Sequence, residues 1–152
     1  MVRFFFRKAD LVICVSNSWI EYFRMNFKTK KIMVLPNMVD FPEIHKNIRE
    51  PETITFLFLG LVCESKGIFD LIRVIGEKKD KYSGKIKLLI GGNGETDKLN
   101  DLINKYQIGD IVEFLGWVSK VKKTDILNTA DVYILPSYAE GSPISILEAM
   151  TY

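Results

Sequence analysis

The chain has 152 residues, 47% hydrophobic and 26% charged, an ordinary globular mixture for one domain or one domain plus a fragment. A net charge of +2, from 21 basic and 19 acidic residues, makes no electrostatic case for nucleic acid. Two isolated cysteines, Cys14 and Cys63, and a single histidine, His45, exclude a disulfide framework, a zinc site and histidine-based acid–base chemistry.

The opening run from Met1 to Lys8 is apolar but is broken by Arg7, Lys8 and Asp10 too early for a signal peptide, and it reads as the tail of a helix. No segment approaches the length of a membrane span, so a cytoplasmic setting is expected. Asp10 to Ser16 predicts a buried parallel strand. Ser18 is placed to cap a helix carrying Trp19, Ile20, Tyr22, Phe23 and Phe27, and Lys31 to Leu35 is a second strand closed by Pro36 and Asn37. Such a βαβ unit is too small to bury its own faces. Residues 41–52, which include His45, lack periodicity and read as a linker.

From Thr53 the alternation of strand and helix is regular. Ile54 to Leu59 is an apolar strand ending at Gly60. Lys66 to Lys79 is predicted as a helix, with Ile68, Leu71, Ile72 and Ile75 on one face. Lys85 to Ile90 is a strand followed by Gly91-Gly92-Asn93-Gly94, and the next helix repeats the spacing with Leu99, Leu102, Ile103 and Tyr106. Ile111 to Leu115 is a strand closed by Gly116, a short helix leads through Ile126 and Leu127, and Val132 to Leu135 is the last strand. This alternation predicts an α/β fold, a Rossmann-like parallel sheet with flanking helices. The domain plan is 1–40, a βαβ remnant; 41–52, a linker; and 53–152, a ligand-binding domain. Four such strands assemble most often in the order third, second, first, fourth, which places Gly60–Gly67 across a switch-point crevice from Glu140–Pro143.

The junction after the last strand carries the chemistry. Ser142 is expected to cap a helix whose first residue is Pro143. Ile144, Ile146, Leu147, Ala149 and Met150 make that helix apolar nearly all round, which implies burial. Glu140 precedes the helix and Glu148 projects from its second turn, with Ser145 on the same face. The two acids are about 10–12 Å apart along the axis, with free N–H groups between them as an anion site. That layout suits a ligand with hydroxyls at both ends and phosphate in the middle, such as a nucleotide-diphosphate sugar. The bland alternative is a solvated Glu140 and a Glu148 paired with some lysine.

The neighbouring signals carry the same ambiguity. Lys66 beside Gly67 could meet a diphosphate as a point charge or be an ordinary solvated lysine. Gly92 and Gly94 let backbone approach a ligand, or serve turn chemistry alone. Asp97 stands where a dinucleotide fingerprint needs its third glycine. Trp117 and Val118 could give a nucleobase a flat surface, or Trp117 could be a partly buried structural residue. Ser137 and Ser145 have no histidine base, so a serine nucleophile is not expected.

Taken in order, these pieces resemble the family 4 retaining glycosyltransferases of the GT-B fold. The match runs through Ala9–Ser16, Val34–Asp40, Phe58-Leu59-Gly60 with Lys66-Gly67, Gly91–Gly94 and Phe114–Gly116. It continues through Ala130–Ser137, Glu140-Gly141-x-Pro143 and Glu148-Ala149-Met150, where the two glutamates form an E-x7-E motif. The resemblance implies the C-terminal, donor-binding half of that fold. Glu140 would contact the transferred sugar and Glu148 the ribose. Lys66 and the backbone at Gly141, Ser142 and Pro143, with Ile144 following, would hold the diphosphate. Gly60, Gly92, Gly94, Trp117 and Val118 would complete the donor site, with Glu140 and Lys66 nearest the chemistry. It also implies no metal and no cofactor beyond the sugar donor, because the helix N-terminus and cationic side chains carry the leaving-group charge.

Family habit points to a glycan or lipid-linked acceptor held by an N-terminal domain. That acceptor belongs to cell-surface polysaccharide or lipid-linked glycan assembly, with peripheral association at the inner membrane face. This chain departs in having Leu61 where the family often has Arg, and Met38 at a frequent turn glycine. Residues 1–40 correspond to only the last βαβ unit of an acceptor domain, and the chain stops before the segments that usually complete a donor domain. It is therefore expected to be a truncated enzyme, with a non-catalytic module paired to a separate acceptor subunit, or an inactive product, as alternatives.

Overall fold

A computed structural model describes residues 5–6, 8–29, 31–42 and 52–152. Phe5, Phe6 and Lys8 are helical; the rest of the expected opening helix, and residues 43–51 of the expected linker with His45, lie outside the described residues. The first unit is β1 (Val12–Cys14), α1 (Ser18–Phe27) and β2 (Ile32–Val34), with the two strands parallel and Ile13 opposite Met33. Alternation sends Val12 and Cys14 inward while Leu11, Ile13, Met33 and Leu35 remain exposed. On the inner side Phe6, Trp19, Tyr22, Phe23 and Phe27 form a linked set of ring contacts. Ser18 is the first helical residue and not the cap: Asn17 precedes it without a capping bond, and the Ser18 hydroxyl pairs with that of Ser16.

The second sheet has four parallel strands, β3 (Ile54–Leu59), β4 (Ile86–Gly91), β5 (Val112–Gly116) and β6 (Val132–Tyr133), in the spatial order β5-β4-β3-β6. This is the expected order of third, second, first, fourth. The helices divide between its faces because successive β3 side chains point to opposite sides. Phe58 meets Ile68, Phe69, Ile72 and Ile75 of α2 (Ile68–Glu77) and Leu99 of α4 (Thr96–Tyr106). Leu57 and Leu59 meet Ile126 and Leu127 of α5 (Lys120–Thr129), with Ala149 of α6 (Ile144–Ala149) packed alongside. A short α3 (Lys79–Tyr82) joins α2 to β4. Fully buried side chains such as Phe58, Phe69 and Ile72 each stabilise the fold by about 1.5–3 kcal/mol through removal of apolar surface from water.

Several expected boundaries shift for identifiable reasons. Lys66 lies on a 3-10 turn, Glu64–Lys66, and α2 begins only at Ile68, because Gly67 takes a left-handed conformation (φ 66°) between them. A side chain there would meet the Pro136 carbonyl oxygen at 2.0 Å, so glycine is what lets the β3 and β6 exits pack together. The last strand is shorter than Val132 to Leu135, pairing only through Val132 and Tyr133. The final helix starts at Ile144: Pro143, with ψ 116°, holds the cap position, and no side chain caps it. Ser142 is not the cap, since its carbonyl is drawn to Asn37 Nδ2 at 2.7 Å. Nor is this helix buried as its composition implied. None of its residues is fully buried and Ile144 is half exposed, because only one side faces the Leu57–Leu59 cluster.

Candidate functional site

The strand order brings the carboxyl ends of β3 and β6 side by side, and the loops leaving them are tied together. Tyr138 N–H donates to the Ser65 carbonyl, and the Tyr138 hydroxyl donates to Asp70 on α2, which also accepts from Arg73. The Tyr138 hydrogen bond, with Arg73, keeps the Asp70 carboxyl below its ordinary range, and the same bond pushes the Tyr138 hydroxyl up. This clasp fixes the loop that carries Glu140. Lys66 Nζ then reaches Glu140 Oε1 at 2.5 Å, with both side chains about a quarter exposed. Burial pushes the Glu140 carboxyl up, but Lys66 and the Ser137 hydroxyl outweigh it, and the group sits below its ordinary range. Ser137 Oγ is itself buried and makes no well-formed hydrogen bond, so its influence on Glu140 is one of proximity.

Glu148 meets a lysine of its own. Lys123 Nζ on α5 lies 2.5 Å from Glu148 Oε1. Both occupy the wall of an open cleft of about 590 Å³ that also takes in Gly60, Leu61, Gly92, Trp117 and Val118. Trp117 is 75% exposed, so it is not the partly buried structural residue its type suggested. Behind the glutamates, Tyr133 donates its hydroxyl to the Leu59 carbonyl at 2.9 Å and interacts with Ser145; burial, first, raises its pKa. The two neighbouring ion pairs thus lie between a partly buried tyrosine and the loop clasp.

The glycines divide by what surrounds them. A side chain at Gly92 would meet the Gly60 carbonyl oxygen at 1.8 Å, and one at Gly94 the Val62 carbonyl oxygen at 2.4 Å, so both are required by the adjacent backbone. Gly92 also faces the cleft; Gly94 is not among its lining residues. Gly141 packs against Trp19, whose Nε1 would be 2.6 Å from an added Cβ. Among the described residues the N–H groups of Gly141 and Ser142 donate to no protein acceptor, and they remain available to a ligand. Ile144 faces a second open region beside Met38 and Tyr152, away from Trp117. The crevice therefore gathers Gly60, Gly92, Trp117, Val118 and Glu148 in one cleft, with Lys66, Glu140, Gly141 and Ser142 beside the neighbouring loop.

Lys123 lines the cleft, and the sequence reading does not single it out. It shares a helical stripe with Ile126 and Leu127, both buried, and a lysine on an apolar stripe is the signal that marks it. Among the described residues no cluster of three potential metal ligands occurs, and no helix is long and apolar enough to cross a membrane.

A doubly wound sheet with lysine–glutamate pairs, glycine backbone and an aromatic wall at its switch point defines a Rossmann-like domain with the fold of GT-B glycosyltransferases. The chain belongs to the family of glycosyl transferases group 1, whose profile it matches over residues 40–152. It is 27% identical over 162 residues to an uncharacterized glycosyltransferase of Methanocaldococcus jannaschii, a match covering 98% of this chain and 39% of that protein. It is 27% identical over 128 residues to the capsular polysaccharide biosynthesis glycosyltransferase CapH of Staphylococcus aureus, covering 82% of this chain and 35% of that one. A TarM mutant of S. aureus, solved in complex with Fondaparinux, alpha-GlcNAc-glycerol and UDP, shares the fold. The TM-score is 0.80 at 22% identity, over 96% of this chain and 29% of that one. The chain spans roughly two fifths or less of the length of these curated relatives.

Proposed function

We propose that residues 53–152 bind a nucleotide-diphosphate sugar in the β3–β6 crevice and form the donor side of a retaining glycosyltransferase. The observation that carries this reading is the Lys66–Glu140 pair across the switch point, next to a cleft in which Glu148 stands near Trp117. Glu140 accepts hydrogen bonds from the transferred sugar, Glu148 from the ribose hydroxyls, and Trp117 with Val118 gives the base an apolar wall. The unbonded N–H groups of Gly141 and Ser142, with the Lys66 ammonium, receive the diphosphate.

Glycosyl transfer develops negative charge on the departing diphosphate, and electrostatic stabilisation of that group is the chain's main catalytic contribution. The final helix has only six residues, so more of this task falls to Lys66 and to loop N–H groups than to a helix dipole. Retention follows from front-face attack by an acceptor held outside this domain. No residue here is assigned to a metal or cofactor. The donor is tested by calorimetry of the folded chain against UDP- and GDP-sugars: saturable binding to one of them is expected, and binding to none overturns the proposal.

A second reading has its own observation. The exposed face of Leu11, Ile13, Met33 and Leu35 on the two-stranded sheet suits a module that works with a separate acceptor-binding subunit. Transfer by the chain with no added protein would overturn that second reading and leave the donor site standing.

A further inference from the structure

Lys123 stands one turn before the buried Ile126 and Leu127, on the same stripe of α5. Its ammonium lies in the wall of the cleft, where it meets Glu148 at 2.5 Å. Among the lining residues Glu148 is the one acid, and Lys120 and Lys123 are the two cations. Leu61, next to Gly60 in the same wall, brings no charge, and Lys66 lies against Glu140 outside this lining. An occupant whose hydroxyls take both oxygens of Glu148 displaces the ammonium from Oε1 within the same cleft, where phosphate oxygens can compensate it.

We propose that Lys123 is a diphosphate-binding residue, held on Glu148 before a ligand enters and turned to the phosphates when Glu148 takes the ribose hydroxyls. This assignment rests on the donor-site reading above. The exchange keeps both partly buried charges compensated at each stage. Before binding, ammonium and carboxylate neutralise each other; afterwards, the carboxylate accepts from two hydroxyls and the ammonium faces phosphate oxygen. The Lys123–Glu148 pair thus also cancels its own charges until the cleft is filled, and selects for ligands that carry a diol and an anionic group together.

The test compares Lys123→Gln with Lys122→Gln, an equal change of charge on the same helix at an exposed residue outside the cleft lining. Whichever of UDP and GDP the parent chain binds is titrated by ligand NMR, along with its own nucleoside, which carries the diol but no phosphate. Lys123→Gln is expected to weaken the diphosphate about tenfold and to leave the nucleoside unchanged or slightly tighter, since Glu148 is then released. Lys122→Gln is expected to change neither. Equal losses for nucleoside and diphosphate, or no loss for either, overturn the assignment of Lys123 while the donor site stands. A parent chain that binds neither diphosphate overturns both, with thermal melts of each protein showing that it is folded.

Discussion

Glu140 and Glu148 show how a carboxylate near a switch point is placed by its neighbours. Each is only partly exposed and each is matched by one lysine, so neither is the freely solvated acid that a loop or a helix surface would offer. Pairs of this exposure contribute about 0.2–1 kcal/mol to stability, too little to explain the local architecture as a stabilising device. The Glu140 pair does predict a pH signature. Its folded pKa lies below the ordinary 4.5, so its contribution is complete above that value and is lost as the pH falls through the lowered one. Urea midpoints of the parent chain should therefore fall faster below about pH 4.5 than those of Glu140→Gln, by less than about 1 kcal/mol in all. Parallel curves would mean that the pair does not persist in solution.

The elements around the crevice are largely legible in the sequence, and the parts that are not have identifiable causes. The strands and the two-sided packing of β3 follow from apolar periodicity, a local signal, whereas strand order, and with it the meeting of Gly60–Gly67 with Glu140, follows from the usual arrangement of four such strands. The start of α6 is displaced from its expected place because the Ser142 carbonyl answers to Asn37, 105 residues away. The exposure of Trp117 escapes a reading by residue type, which reports average burial, whereas its position after the Gly116 turn directs it into the cleft. Gly67 stands out in the sequence for its place beside Lys66, yet its structural demand comes from Pro136 on another element. Gly67→Ala should accordingly destabilise the domain by more than about 1 kcal/mol in urea denaturation, through a left-handed backbone and a contact at 2.0 Å. Gly109→Ala, where an added Cβ meets nothing within 4 Å, should be neutral or stabilising by about 0.4–1 kcal/mol. Similar effects at both positions would contradict the close packing of the β3 and β6 exits.

At the scale of the whole molecule, two sheets share one face of interest. The βαβ unit reaches the final loop through Asn37 and through Trp19, whose ring edge abuts Gly141, so Glu140 lies beside the first unit as well as within the second. The donor reading places the sugar at that shared edge and the nucleotide in the deeper cleft between Trp117 and Glu148. Those two places can be separated by measurement. Binding of UDP-sugar and of UDP, or of the GDP pair if that is the base accepted, is compared by calorimetry for the parent chain, Glu140→Gln and Glu148→Gln. Loss of hydrogen bonds to a charged acceptor predicts that Glu140→Gln weakens the sugar nucleotide about tenfold and spares the free diphosphate, while Glu148→Gln weakens both alike. Equal effects of both variants on both ligands, or no effect of either, would contradict the division of the crevice into a sugar end and a ribose end.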